Sequence, residues 1–140
     1  MIVKQVSVFV ENTVGRLADL TKIPTDNNID LKASTIAETV DFGILRCIVE
    51  EPEKTVKILV ENGFSASISE VTGVSLEDKP GGLHKVLAVL AEAGIAVNYI
   101  YSTIKSAEGK AIIMMKTSDA AKAEEVLKAS GVELAGADSF

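Results

Sequence analysis

"EDKPGGLHKVLAVLAEAGI", running from Glu77 to Ile95, decides how this chain folds. Leu83, Val86, Leu87 and Leu90 recur at three- and four-residue spacing, which is one face of a helix. Gly94 suits the position just past its end. Gly81 and Gly82 stand before its start, and His84 is the only catalytic-looking group nearby. A helix start leaves four backbone N–H groups without intrahelical partners and carries the positive end of the helix dipole. Glycine at that place keeps a Cβ out of the way of an approaching ligand. Such a start favours a carboxylate or a phosphate. Pro80 suits a first helical position, and Asp78 is placed to cap the turn or hold a cation. The same residues also make a good turn and cap without any ligand.

The pattern occurs twice. "ENTVGRL" (Glu11–Leu17) and "EDKPGGL" (Glu77–Leu83) share Glu, Gly and Leu at the same spacing, with an offset of 66 residues. At that offset Ile29 falls on Ile95, Asn28 on Gly94 and Gly43 on Gly109. The order of elements repeats as well. In the first half, Val6, Val8 and Val10 alternate as a strand, and Gly15 to about Asn28 reads as a helix. "IDLKASTIAET" and "GILRCIVE" read as strands joined near Val40–Gly43. "EPEKTVKILVENG" reads as a helix with Pro52 in its first turn and Gly63 past its end, and "FSASISEV" as a fourth strand. In the second half "GVSLE" is a strand, followed by the Leu83–Leu90 helix; no linker separates the halves, and "SASISEVTGVSLE" runs almost unbroken from the last strand of one to the first of the next. "IAVNYIYSTI" and "KAIIMMKT" are strands around the turn "SAEG". "SDAAKAEEVLKASG" is a helix with Ser118 as its cap, and "VELAGA" a weak last strand. Each half is therefore β-α-β-β-α-β in about 65 to 70 residues, the split βαβ of a ferredoxin-like unit. The expected class is α+β: two tandem units, residues 1–71 and 72–140, each an antiparallel four-stranded sheet with both helices on one face. Units this small bury little surface alone, so packing together and dimerisation are expected.

Bulk properties narrow the function. Of the 140 residues, 47% are apolar but only 4% aromatic, so the core must be aliphatic. A net charge of −6 argues against nucleic acid as partner, because phosphate backbones need a basic surface. No run approaches the roughly 20 apolar residues that span a bilayer, and "MIVKQVSVFVEN" lacks the parts of a signal peptide. A soluble cytoplasmic protein is the expectation. Cys47 is the sole cysteine and reads as a buried strand thiol.

"EDKPGGLHKVLAVLAEAGIAVNYI" resembles the opening half of an ACT domain: an acidic or Asn residue, Pro-Gly, Leu, an amphipathic helix ending in Gly-Ile, then a strand. "ENTVGRLADLTKIPTDNNIDL" is a looser version, and the resemblance covers nearly the whole chain as two tandem units. It implies a regulatory module that binds a small molecule, most often an amino acid, where units meet, with a metabolic enzyme as possible partner. By the resemblance, loop N–H groups hold a carboxylate, and polar groups of the loop and of a neighbouring unit's second strand hold the ammonium. The matching loop positions are Asn12, Thr13, Val14, Gly15 and Arg16 in the first unit. In the second they are Asp78, Lys79, Pro80, Gly81 and Gly82. The polar strand position is Asp30 in the first unit but Ala96 in the second, where Asn98 lies two residues on, on the same strand face. The chain departs from the family pattern at Val14, where Pro is usual, and at Arg16, where the second unit has Gly82. Pro24 is also expected to interrupt the first helix. One of the two sites is therefore open to being altered or empty.

Other residues carry less. His84 lacks companions at metal-ligand spacing, and no Ser/His/Asp set or phosphate-binding Gly-Lys-Ser/Thr loop is present. No catalytic residue, metal or cofactor is expected. Tyr99 and Tyr101 share a strand face and read as core or interface, Met114 and Met115 as strand residues, and Lys79 and Arg16 as solvated loop charges. An interaction module with a decayed ligand site is the alternative. Metal carriage or RNA binding on the same fold is disfavoured by the single cysteine and the acidic charge.

Overall fold

The structure, a computed structural model, describes residues 2–104, 106 and 108–139. Ala107, in the expected turn "SAEG", lies outside the described residues. The chain forms two compact units, Lys4–Ser69 and Glu70 onwards with the first residues of the chain.

The first unit contains β1 (Ile2–Glu11), α1 (Arg16–Asp26), β2 (Ala33–Glu38), β3 (Phe42–Ile48), α2 (Pro52–Glu61) and the first part of β4 (Ser65–Glu77). Its strand order is β2-β3-β1-β4. β3 is antiparallel to both β2 and β1, with Val8 opposite Leu45 and Ile36 opposite it on the other side. Period-two alternation puts Val6, Val8 and Val10 on one face, where they meet Leu20 of α1, Leu59 of α2, Leu45, Cys47 and Phe64. Each such buried aliphatic side chain contributes about 1.5–3 kcal/mol. Burial drives the Cys47 thiol pKa up to about 12, so it stays a neutral core residue.

The second unit continues β4 and adds α3 (Gly82–Glu92), β5 (Val97–Ser102), β6 (Lys110–Thr117), α4 (Ala120–Ala129) and β7 (Glu133–Leu134). Its order is β7-β4-β6-β5, antiparallel throughout. Val74, Met115, Val86, Leu90, Ala123 and Leu127 form its core, so both helices again cover one sheet face. Both units are the expected ferredoxin-like βαββαβ arrangement.

The expected near-unbroken run "SASISEVTGVSLE" is one strand: β4 has 13 residues, fourth in the first unit and equivalent to β1 in the second. No glycine or proline pair breaks it, and Gly73 stays in the strand because Ala135 packs against it. A Cβ there would lie 2.3 Å from the Ala135 carbonyl oxygen. Three local expectations, at Pro24, Ser118 and Pro80, are corrected. Pro24 does not interrupt α1, which runs through it to Asp26. Pro24 sits in the last turn, where Thr25 Oγ1 donates to the Thr21 carbonyl at 2.8 Å and Asn27 Nδ2 to the Ile23 carbonyl at 2.8 Å. Asp119, not Ser118, caps α4, accepting from the Lys122 amide at 3.0 Å. Ser118 Oγ instead accepts from the Ala96 amide at 3.1 Å. Pro80 precedes the helix rather than opening it, because Gly81 is the cap residue of α3.

Candidate functional site

The two loops before α1 and α3 are built alike. Arg16 N–H donates to the Thr13 carbonyl (3.3 Å) and Gly82 N–H to the Lys79 carbonyl (3.1 Å), closing a four-residue turn in each unit. The third turn residue is Gly15 (φ 83°, ψ −11°) or Gly81 (φ 87°, ψ −10°). That left-handed geometry is the one a type II turn reserves for glycine, and Pro80 takes the second place that proline favours. The turns also fix where an anion can bind. The Arg16 and Gly82 amides are engaged within them, while neither helix start has a side-chain cap. The second and third helical amides, which a cap side chain normally serves, belong to Leu17 and Ala18 and to Leu83 and His84. Asn12, Thr13, Val14, Gly15, Asp78, Lys79, Pro80 and Gly81 are all exposed.

The loops differ in their charges. Arg16 Nε donates to Glu11 Oε2 at 2.6 Å, and its guanidinium lies 4.2 Å from the centre of the Phe64 ring. It is an anchored residue, not a solvated loop charge. The same hydrogen bond holds the Glu11 carboxyl below its usual pKa of 4.5. In the second unit Gly82 replaces the arginine, and a Cβ there would lie 2.2 Å from the Glu77 carbonyl oxygen. Lys79 pairs with Glu77, whose pKa is lowered first by that bond and then by Lys85 and Lys110.

A cavity of about 340 Å³ adjoins the first loop. Val10, Leu17, Ile36 and Gly43 give it an apolar floor, and Glu11, Asn12, Thr13 and Glu38 a polar rim. Sequence reasoning found only the loop residues of this set. Glu38 ends β2, and Gly43 lies in the next strand opposite both Glu38 and Val10. A glycine inside a strand marks a close approach and was the available signal.

Asp30 and Asn98 are not brought to the loops. Asp30 precedes β2 rather than lying on it, beside Thr25, Asn28 and Ile29. β2 begins opposite Ile48 and ends opposite Gly43, so Asp30 lies at the far end of the unit from Asn12. The 11-residue α1, about 16 Å long, spans the gap. Asn98 is likewise remote from Asp78 in the second unit. It falls in a register shift between Val97, opposite Thr117, and Tyr99, opposite Lys116. That irregularity breaks the simple alternation that would put it on one face with Ala96. Tyr99 and Tyr101 stack at 6.4 Å, and Tyr101 is buried. His84 is exposed, and no metal-ligating cluster occurs among the described residues.

A family model described as an ACT domain pair matches residues 1–138. The chain belongs to the ACT-domain family. This ACT-domain pair is similar to a solved protein, BT0572 from Bacteroides thetaiotaomicron, at 41% identity and a TM-score of 0.92, covering 99% of this chain and 95% of that one. It also matches the ligand-free regulatory subunit of aspartate kinase from Thermus thermophilus at 16% identity and a TM-score of 0.68, covering 91% and 90%. The corresponding Thermus flavus subunit matches at 14% and 0.64, again over 91% and 90%. These last two likenesses establish the fold. No curated protein matches the chain. Among the described residues no helix of the ACT pair is long and apolar enough to cross a membrane.

Proposed function

We propose that this ACT-domain pair is a non-catalytic regulatory module of the cytoplasm that binds a small amino acid. The observation that carries the reading is the pair of uncapped, exposed helix starts behind a left-handed glycine, one of them beside a cavity. The Leu17 and Ala18 amides, with that of Gly15, receive the ligand's carboxylate at the positive end of α1. The similar Thermus proteins are regulatory subunits of a kinase of aspartate, which fits a metabolic enzyme as partner. A homodimer belongs to the same reading: β2 and β5 are sheet edges among the described residues, and paired edges are protected edges. Regulation then follows from the ligand's different affinity for two states of the assembly. A calorimetric screen of the common amino acids at millimolar concentration tests the proposal. At least one is expected to bind and to raise the melting temperature; binding of none removes it.

A second reading, an interaction module with a degenerate ligand site, is favoured by one feature. Phe9 and Phe42 are 51% and 41% exposed, with ring centres 5.5 Å apart on the open side of the sheet. It expects capture of a partner that added amino acids do not change.

A further inference from the structure

The rim of the cavity beside the first loop holds two carboxylates, and they are not equivalent. Glu11 is satisfied by Arg16 at 2.6 Å. Glu38 forms no ion pair among the described residues and stands at the mouth of an apolar floor made by Val10, Leu17, Ile36 and Gly43. The Arg16 guanidinium is engaged by Glu11 and Phe64. An unpaired carboxylate at the edge of an apolar cavity attracts a ligand ammonium, and the floor favours an aliphatic body. At about 340 Å³ the cavity stands near the small end of ligand sites, which run about 300–1,000 Å³.

The second unit lacks this combination. Val10 is flanked by Gly43 and then Glu38. The equivalent Leu76 is flanked by Ala111, and extending the β5–β6 register by two residues puts Ile104 opposite Ala111. An alanine replaces Gly43, where a Cβ would lie 3.2 Å from the Ile36 side chain, and an exposed isoleucine replaces the carboxylate.

We propose that the first unit takes a branched aliphatic amino acid of about leucine's size, with Glu38 receiving its ammonium group and Val10, Leu17 and Ile36 its side chain. The proposal rests on the amino-acid reading of this same site and assigns its ligand class and its ammonium partner. It also restricts that binding mode to one of the two loops.

Titration calorimetry on the full chain tests it with three probes: leucine, 3-methylbutylamine and 4-methylpentanoate. Leucine is expected to bind the wild type and to lose about 10- to 100-fold in affinity to Glu38→Gln, the worth of one hydrogen bond to a charged group. Glu38→Asp is expected to retain part of it. The amine is expected to share the Glu38→Gln loss, while the acid binds both proteins alike. Glu38 is exposed, so an unchanged circular dichroism spectrum is expected for each variant. Equal leucine affinity in wild type and Glu38→Gln overturns the assignment of Glu38 but leaves the amino-acid reading standing. Binding of an aromatic or acidic amino acid in preference to leucine overturns the ligand class. Binding of no amino acid at all removes both.

Discussion

Gly15 and Gly81 sit at the third position of their turns with φ near +85°, where an L side chain meets its own backbone. Replacing Gly81 by Ala is expected to cost about 1–2 kcal/mol, the price of a left-handed alanine. Gly82 has a different reason for lacking a side chain, the Glu77 carbonyl oxygen 2.2 Å from where its Cβ would be. Because a strand backbone cannot yield as a flexible side chain does, Gly82→Ala is expected near the upper end of about 1–3 kcal/mol. Urea midpoints of the two variants measure both. Arg16, at the place of Gly82, holds Glu11 in its charged form. A folded-state pKa below the ordinary 4.5 means that this contribution is present above pH 4.5 and is lost as pH falls through the folded value. Carbon-detected titration of Glu11 is expected to give a value below 4.5 in the wild type and a higher one in Arg16→Gln than in the wild type.

At the scale of elements, the helix ends follow local chemistry. Pro52 opens α2 at its first position, and Gly63 and Gly94 end α2 and α3 in the left-handed conformation. Asn28 does for α1 what Gly94 does for α3, with φ 55°. Among the described residues α4 is the one α-helix with a side-chain cap. Asp119→Ala is expected to cost about 0.5–2 kcal/mol, read as a lower melting temperature, with Ser118→Ala costing less. The ends at Pro52, Gly63 and Gly94 were legible because each depends on a few neighbouring residues, as were the strand alternation of Val6–Val10 and the apolar face of α3. What was illegible depends on residues far away in the chain. Ser118 was a credible cap until its hydroxyl was claimed by the Ala96 amide, 22 positions earlier. Pro80 has the right type for either a turn or a helix start, and only the Lys79–Gly82 hydrogen bond decides between them. Asp30 precedes β2, which starts three residues later, and no local pattern marks Glu38, because Gly43, which lines the same cavity, lies across the β2–β3 pairing.

At the scale of the molecule, the repeat was the most legible feature, since two weak copies of one element order support each other. The family model spanning residues 1–138 agrees with it. The two units share an architecture but differ at corresponding places: Arg16 against Gly82, Phe64 against Val132, Phe42 against Lys110. The first loop is therefore framed by aromatic rings and an arginine, the second by lysines and glutamates. On this account the duplication kept the backbone device and let one copy specialise. If the chain self-associates through its sheet edges, light scattering is expected to return twice the chain mass, and a monomer mass at micromolar concentration would confine the binding residues to one chain. The most direct test of the central claim is a backbone-amide NMR titration of this 140-residue chain with the common amino acids. The account predicts that one of them, at millimolar concentration or below, shifts the Gly15, Leu17 and Ala18 amides first and most. Amides that stay in place through the whole panel would contradict it.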